Sequence, residues 1–201
     1  MFQIHKNEPK YFTLAKAKVK QPKIKSAWED NHISAIREKL RGDILLEEQN
    51  LLCAYCQKEI DSHKDFSNID HFKTRNLFPE LTLEYHNLLV SCNTKNRCSS
   101  SKDSKKSILK TREDYDNIVN PTSENPDDYF DYLPTGEIVA KNKKAKFTIE
   151  LFNLEDKSLS QCRLQVAKSL IDIDLSIEDI CDIFPDYHNF IKIIYPKLKE
   201  L

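Results

Sequence analysis

Four cysteines arranged as two pairs constrain this sequence more than any other feature. Cys53 and Cys56 form a C-x2-C pair, Cys92 and Cys98 form a C-x5-C pair, and residues 57–91 separate the pairs. Two such pairs can close a tetrahedral zinc site, because zinc accepts cysteine thiolates readily. A shell of four thiolates leaves no position for water. The spacing therefore predicts a structural zinc ion that joins two loops.

The remaining cysteines and the shortage of glycine narrow the class of protein. Cys162 and Cys181 lie within apolar helical patterns and are assigned to the core. Six cysteines without a recognisable secretory signal favour metal binding over disulfides, so we expect a cytoplasmic protein. Gly42 and Gly136 are the only two glycines, too few for the phosphate-binding loop of a P-loop NTPase. No apolar run is long enough to span a bilayer, and no membrane partner is expected.

Charge is distributed unevenly along the chain, although the net charge is only −1. Residues 1–25 contain seven lysines and one glutamate, and residues 95–112 contain seven basic residues and one aspartate. Each segment therefore carries +6, and the rest of the chain carries −13. Either basic segment alone fits a solvated surface, but two of them on an otherwise acidic chain favour an oriented contact with phosphates.

The N-terminal quarter, residues 1–50, is predicted to be a basic arm followed by a helix. Pro9 and Pro22 disfavour a long helix in the first 25 residues, so we expect this arm to be extended. Ser26 and Glu29 have the spacing of a capping box, which predicts that a helix begins there and runs toward residue 49.

The rest of the chain completes an α+β protein that is predicted to be mainly helical. Residues 51–112 contain the two cysteine pairs, with strands predicted at SNIDHF and NLLVSC and a short helix predicted from Ser99 to Leu109. Residues 113–201 are predicted to begin with a hairpin that turns at Thr135 and Gly136. Helices follow this hairpin, and we expect the region to dock a partner.

Two histidine-containing pairs lie between the cysteine pairs. Asp70 and His71 end the first predicted strand, and His86 and Asn87 precede the second. Neighbouring residues of a regular strand point to opposite faces, but at a strand end both side chains can converge. Lone histidines are usually surface residues or hydrogen-bonded core residues. We favour that interpretation for His86, and a further metal ligand is its alternative. His71 differs because of the residues that surround it in sequence.

The segments CAYC, IDHF and YHNLLVSC, with the cysteine and lysine that follow, resemble the HNH nuclease motif. This family has a zinc-stapled ββα-metal fold, which we expect here with an N-terminal helix and a helical C-terminal extension. The resemblance implies that Asp70 binds a catalytic Mg²⁺ or Mn²⁺, that His71 is the general base, and that Asn87 holds the loop between them. Phosphodiester hydrolysis needs an activated water and charge neutralisation, which a zinc ion closed by four thiolates does not provide. Two metals with separate roles are therefore expected.

The last ligand of the catalytic metal departs from the family pattern. In the common HNH pattern, a histidine or asparagine directly follows a second C-x2-C pair, whereas here Ser99 follows Cys98. Asn96 lies nine positions beyond Asn87, and Asp103 lies one helical turn beyond Ser99. Both are candidates for this ligand, and the interval favours Asn96.

Longer segments are similar to the PtuB family, the HNH component of the Septu antiphage defence system, which also occurs with some retrons. They are LLEEQNLLCAYCQKEI, FPELTLEYHNLLVSC, NPTSENPDDYFDYLPTGEI and FTIELFNL. The resemblance implies an ATPase partner of the PtuA type. It also implies, as a further partner, a retron reverse transcriptase with its msDNA.

Three hypotheses remain open from the sequence. The first is a metal-dependent nuclease that cuts DNA or RNA together with an ATPase. The second is a zinc-stapled nucleic-acid-binding module in which His71 is structural. The third is an adaptor whose acidic, helical C-terminal half docks a partner. Where nucleic acid binds, the predicted phosphate contacts are Arg97, Lys102, Lys105 and Lys106.

Overall fold

A computed structural model describes residues 1–200 and has an α+β architecture, with two small antiparallel sheets among helices. The helices are α1 Lys10–Lys16, α2 Asn31–Ser34, α3 Arg37–Asp43, α4 Ser99–Lys102, α5 Lys143–Phe152, α6 Lys157–Leu170, α7 Ile177–Ile183 and α8 His188–Lys199. The strands are β1 Ser67–His71, β2 Leu88–Cys92, β3 Phe130–Tyr132 and β4 Ile138–Ala140. Within the described range, no helix combines the length and the apolar character needed to cross a bilayer.

The first hairpin positions the Asp-His pair. β1 and β2 pair antiparallel, with Asp70 opposite Leu89 and His71 opposite Leu88. Every residue of β2 is buried, which anchors the hairpin in the core. The strands predicted at SNIDHF and NLLVSC are confirmed. The helix predicted from Ser99 to Leu109 begins at Ser99 as α4, but it ends at Lys102, and residues 103–109 are not helical.

The N-terminal arm is folded into the protein, and the prediction that it is extended is wrong. Pro9 precedes α1 and supplies the extended conformation that leads into this helix. Met1, Ile4 and Phe12 are buried, and the backbone N–H of Ile4 donates to the Pro121 carbonyl at 2.8 Å. The lysines had dominated the sequence pattern, but the apolar residues between them reach the core.

The helix predicted from Ser26 toward residue 49 is divided into several short pieces. A 3-10 turn covers Lys25–Glu29, α2 and α3 follow, and a π turn covers Ile44–Glu48. The expected capping box does not form, because Asp30 adopts an extended conformation and its carboxylate caps α2 by accepting from the His32 N–H at 2.9 Å. The apolar positions of the pattern are nevertheless buried, among them Trp28, Ile33, Leu40, Ile44 and Leu45.

The C-terminal region forms the second hairpin and the helices predicted for it. β3 pairs with β4, with Phe130 opposite Ala140, and the turn at Thr135 and Gly136 is confirmed. Buried apolar residues from all three parts of the sequence belong to one hydrophobic core. The Tyr187 N–H donates to the Gln57 carbonyl at 2.9 Å and so ties the start of α8 to the first cysteine pair. The three segments therefore pack as one unit.

Gly136 allows a close approach between the second hairpin and α6. Its φ is +86°, and a Cβ there would lie 2.1 Å from the Ser160 carbonyl oxygen and 2.7 Å from the Leu164 nitrogen. We expect Gly136→Ala to lower the free energy of unfolding by about 2 kcal/mol or more, because a non-glycine residue at positive φ alone costs roughly 1–3 kcal/mol. Urea denaturation measures this change.

Gly42→Ala is the matched control for this substitution. Gly42 lies in α3, and apart from its chain neighbours and the backbone of its own helix, no described atom lies within 4 Å of the Cβ it would gain. Alanine in a helix interior is favoured over glycine by about 0.5–1 kcal/mol, so this variant is expected to be slightly more stable. Equal effects of the two substitutions would contradict the close approach at Gly136.

Candidate functional site

The four predicted zinc ligands come together in one buried cluster. Cys53 and Cys56 lie in a turn before β1, Cys92 ends β2, and Cys98 directly precedes α4. Their sulfur atoms all lie within 4.8 Å of one another. Thiolates around a zinc ion lie about 3.8 Å apart, given Zn–S bonds of about 2.3 Å, so the cluster can hold a structural metal such as zinc. Hydrogen bonds with the other three thiols lower the pKa of Cys92 far below its usual range.

Arg97 belongs to the surroundings of this cluster and faces the interior. It is buried, and its guanidinium contacts Asp156 at 3.4 Å, Ser158 at 3.1 Å and Thr94 at 3.2 Å. Burial lowers the pKa of Arg97, but the negative charge of the nearby cysteines outweighs burial and raises it. The side chain is thus a counter-ion within the fold, and we do not retain it as a phosphate contact.

Asp70 is buried at the end of β1 and receives two donors. Its Oδ2 accepts a hydrogen bond from the Tyr55 hydroxyl, and its Oδ1 lies 3.0 Å from the Lys102 Nζ. Tyr55 stacks on Phe152 at a centroid distance of 4.0 Å, which fixes its ring. Burial, followed by the charge of Asp70, raises the pKa of Tyr55 well above its usual value, so the phenol remains a donor.

His71 follows Asp70 and is held in a single orientation. Its Nε2 lies 2.9 Å from the Thr82 carbonyl oxygen, and its ring meets the Trp28 ring edge to face at a centroid distance of 4.6 Å. Burial lowers the pKa of His71 to about 4, although the hydrogen bond to Thr82 opposes this shift. The imidazole is therefore neutral at pH 7. Because a carbonyl oxygen only accepts, Nε2 carries the proton and Nδ1 keeps a free lone pair.

Asn87 closes the loop that separates the two strands. Its Oδ1 accepts from the Lys73 N–H at 2.7 Å, and its Nδ2 donates to the carbonyls of Lys73 at 2.9 Å and Leu81 at 3.2 Å. The Phe72 N–H also donates to the Asn87 carbonyl at 2.9 Å. These bonds hold the segment that ends at Thr82, the residue that orients His71.

Lys102 ends α4, and its ammonium contacts oxygens of its own chain. Nζ lies 3.0 Å from Asp70 Oδ1, 2.9 Å from Asp103 Oδ1 and 2.8 Å from the His71 carbonyl oxygen. Burial lowers the pKa of Lys102, but the two carboxylates outweigh burial and raise it. Desolvation by the neighbouring groups, followed by the charge of Asp70, raises the pKa of Asp103, although half of its side chain is exposed. The ammonium is therefore not a surface charge of the kind predicted to meet phosphates.

A cavity of about 560 Å³ opens beside these residues. Its lining includes Asp70, His71, Lys102 and Asp103, together with Trp28. Three basic residues also line it, and we call them the basic group: Lys25, Arg75 and Lys110. A carboxylate pair and a neutral imidazole thus share one concave surface with positive charge around it.

Five of the residues predicted to act in catalysis, to bind the catalytic metal or to contact phosphate do not line this cavity in the described part of the chain. They are Asn87, Asn96, Arg97, Lys105 and Lys106. Asn96 is exposed in the loop between Cys92 and Cys98, and its carbonyl accepts from Asn153 Nδ2 at 2.9 Å. The loop therefore leads toward the end of α5 and away from the cavity. Of the two candidates for the last metal ligand, the cavity includes Asp103 and does not include Asn96.

The basic group was missed by the sequence analysis. Lys25 and Lys110 each lie within one of the two basic segments, so the local charge was a signal that could have identified them. Arg75 lies outside both segments, and its guanidinium donates to Glu29 at 3.1 Å and to the Lys25 carbonyl at 3.3 Å. Only the folded structure brings these residues to the same cavity.

The buried, neutral state of His71 is expected to make the fold less stable in acid. The pKa of about 4 lies below the ordinary value of 6.5, so between these values the unfolded chain binds more protons than the folded chain. Stability therefore falls as the pH drops from 6.5 to 4, by about 3 kcal/mol in total. His71→Gln removes this contribution, and urea denaturation between pH 4 and 7 measures the difference between the two proteins. A difference that is constant with pH would contradict the expected effect.

No protein-family model matches the chain. The chain is 31% identical over 113 residues to the Septu protein PtuB of Bacillus thuringiensis. The aligned part makes up 55% of this chain and 39% of that protein, so it spans about two fifths of the length of this relative. The resemblance to PtuB proteins is confirmed over the aligned part.

Proposed function

We propose that this chain is an HNH-type, metal-dependent endonuclease that hydrolyses phosphodiester bonds of nucleic acid as the effector of a Septu antiphage system. The observation that carries the proposal is the presence, in one cavity, of a neutral His71 beside the carboxylate of Asp70. The identity with a Septu PtuB protein supports the assignment to defence. The cavity residues support the nuclease chemistry.

His71 is the general base of the proposed reaction. Its Nδ1 lone pair accepts a proton from the attacking water, and the Thr82 carbonyl then stabilises the imidazolium through the Nε2–H bond. The low pKa keeps the ring unprotonated before the reaction. A positioned general base typically accelerates a reaction about 10²–10⁴-fold. Asn87 contributes indirectly, because it holds the loop that contains Thr82.

A catalytic Mg²⁺ or Mn²⁺ is part of the proposal. The carboxylates of Asp70 and Asp103 and the His71 carbonyl converge on one point, and hard divalent cations prefer such oxygen donors. The donor set thus fits the ion chemically, with Asp70 and Asp103 as the residues that would hold it. When bound, the ion supplies positive charge for the phosphate oxygens. We prefer Asp103 to Asn96 as the second ligand because Asp103 lines the cavity.

The proposed core consists of β1, β2 and α4, with a zinc ion in the cysteine cluster. The order of two antiparallel strands followed by a short helix is the order of a ββα-metal core. The cluster joins the turn before β1, the end of β2 and the start of α4. A zinc ion there would fix the hairpin relative to α4, and so fix Asp70 relative to Asp103.

Phosphate contacts are proposed for the basic group and for the exposed lysines beyond α4. Lys25 and Lys110 are exposed, and Arg75 is partly exposed. Lys105 and Lys106 lie on the exposed segment that follows α4 and would extend this contact along a nucleic-acid strand. Such contacts bind the phosphate backbone and not the bases, so they do not distinguish DNA from RNA.

The chain is proposed to work with an ATPase of the PtuA type. Two glycines in 201 residues cannot supply a phosphate-binding loop, so nucleotide chemistry would come from that partner. The helical region after residue 112 is the proposed docking region. A retron reverse transcriptase with its msDNA is retained as a further proposed partner. A non-catalytic, zinc-stapled subunit of the same complex that binds nucleic acid or acts as an adaptor is the alternative function.

Cleavage by the purified complex tests the proposal. The zinc-loaded chain, its ATPase partner and nucleotide are incubated with supercoiled plasmid or with total RNA. We expect cleavage of at least one substrate that requires Mg²⁺ or Mn²⁺ and stops on addition of a chelator. If neither substrate is cut with the partner and nucleotide present, the nuclease assignment fails and the non-catalytic alternative is favoured.

A further inference from the structure

The proposed metal site already contains a cation of the chain itself. The side chain of Lys102 has 0% exposed surface, and its Nζ lies within 3.0 Å of one oxygen each from Asp70, Asp103 and His71. The ammonium donates one hydrogen bond to the His71 carbonyl and forms ion pairs with the carboxylates of Asp70 and Asp103. It therefore occupies the point where the three oxygens converge.

A divalent ion and the ammonium cannot occupy this point together. An ion held by both carboxylates would use the oxygen atoms that Lys102 Nζ now contacts at 3.0 and 2.9 Å. Two cations that share the same two oxygens repel strongly in a buried site. Binding of the ion between Asp70 and Asp103 thus requires Lys102 to leave.

The surroundings provide a route for this exchange. The Asp103 side chain is 51% exposed, so one side of the carboxylate pair faces solvent, whereas the Asp70 side chain is only 2% exposed. The cavity adjoins Lys102, and Lys102 is the last residue of the four-residue helix α4. Its long side chain can rotate into the cavity while Cys98 stays in the cysteine cluster.

We propose that Lys102 is an internal cation that competes with the divalent ion for Asp70 and Asp103, so that the ion binds only when the ammonium swings into the cavity. The inference rests on the proposed function only for the identity of the ion's ligands. Lys102 thereby sets the metal affinity of the site, which is low while the ammonium retains its hydrogen bond to His71 and its two ion pairs. In the exchanged state, the ammonium enters the cavity that is proposed to receive a phosphate.

Binding of Mn²⁺ to the zinc-loaded chain tests this proposal without any cleavage reaction. Free Mn²⁺ is measured by electron paramagnetic resonance during a titration of wild type and variants. Lys102→Met keeps the approximate shape of the side chain and removes its charge, and we expect it to bind Mn²⁺ at least about ten-fold more tightly than wild type. Lys102→Arg keeps a cation and is expected to show no such gain. An affinity of Lys102→Met equal to or weaker than that of wild type would overturn the proposal.

Two controls distinguish competition at Asp70 and Asp103 from a general effect of net charge on Mn²⁺ binding and from misfolding of the variant. Lys168→Met removes an exposed charge on α6, and its affinity for Mn²⁺ is expected to equal that of wild type. In the unsubstituted chain, acylation of Lys102 by an amine-reactive reagent is followed by mass spectrometry. Saturating Mn²⁺ is expected to increase this acylation, because the expelled ammonium becomes accessible, and unchanged acylation would overturn the exchange even if Lys102→Met does not fold.

The outcome is independent of the nuclease assignment. Tighter Mn²⁺ binding by Lys102→Met in a complex that never cleaves nucleic acid supports the competition and rejects only the proposed function. Metal-dependent cleavage by wild type, combined with unchanged affinity in Lys102→Met, retains the function and rejects the competition.

Discussion

His71→Ala is expected to reduce cleavage of plasmid or RNA by the complex at least about 100-fold. The substitution removes the only group in the proposed reaction that takes the proton of the attacking water, and a positioned base contributes about 10²–10⁴ in rate. The four cysteines are untouched, so the variant is expected to retain its zinc. Initial rates of plasmid nicking, measured at saturating metal, provide the comparison.

His86→Ala is the matched control. This histidine lies on the same loop, next to Asn87, but its side chain is 62% exposed and is not part of the cavity lining among the described residues. Its alanine variant is expected to cleave at nearly the wild-type rate. If His71→Ala and wild type cleave equally, His71 is not the base. If both histidine variants lose activity to the same extent, the loss is caused by a changed loop structure and not by removal of the base.

Cys53→Ser is expected to have the largest effect on the fold. A thiolate cluster that binds zinc contributes directly to folding, with apparent binding free energies of about 10–16 kcal/mol in small zinc domains. Loss of one ligand opens the cluster at the turn before β1, and the hairpin is then no longer fixed to α4. We expect the metal content to fall from about one zinc per chain to nearly none, and the cooperative unfolding transition to be lost or shifted strongly downward.

Cys181→Ser is the control for loss of a thiol as such. Cys181 is partly exposed on α7 and lies outside the cluster, so the variant is expected to keep both its zinc and its stability. Mass spectrometry under native conditions counts the zinc, and thermal denaturation reports the fold. Loss of fold in Cys53→Ser with zinc still bound would contradict the structural role of the cluster.

Features that depend on local chemistry were predictable from the sequence. The spacing of the four cysteines correctly predicted that they form one cluster, because a tetrahedral zinc site requires its four ligands to lie close together. The strands were predicted correctly at SNIDHF and NLLVSC, and Thr135-Gly136 predicted the second hairpin, because few residues adopt the positive φ found at Gly136. These signals act over a few residues, or through one metal site.

Features that depend on distant partners were not predictable in this way. A lysine or arginine has the same appearance in sequence whether it meets solvent or a buried acid. Arg97 is buried beside Asp156, which is 59 positions away in the sequence. Lys102 is buried because its ammonium contacts the His71 carbonyl and the Asp70 carboxylate at the end of β1. The interval of nine residues from Asn87 favoured Asn96, but the C-x5-C loop directs that residue toward α5.

Hydrolysis in oxygen-18 water tests the central proposal most directly. A water activated by His71 attacks the phosphorus, so each phosphate at a newly formed end is expected to carry one oxygen-18 atom, detected by mass spectrometry of the cleaved ends. This incorporation is expected with wild-type complex and Mg²⁺ or Mn²⁺, and product is expected to be nearly absent with His71→Ala. New ends whose phosphate contains no solvent oxygen, or equal incorporation by His71→Ala, would contradict a hydrolytic centre built on His71.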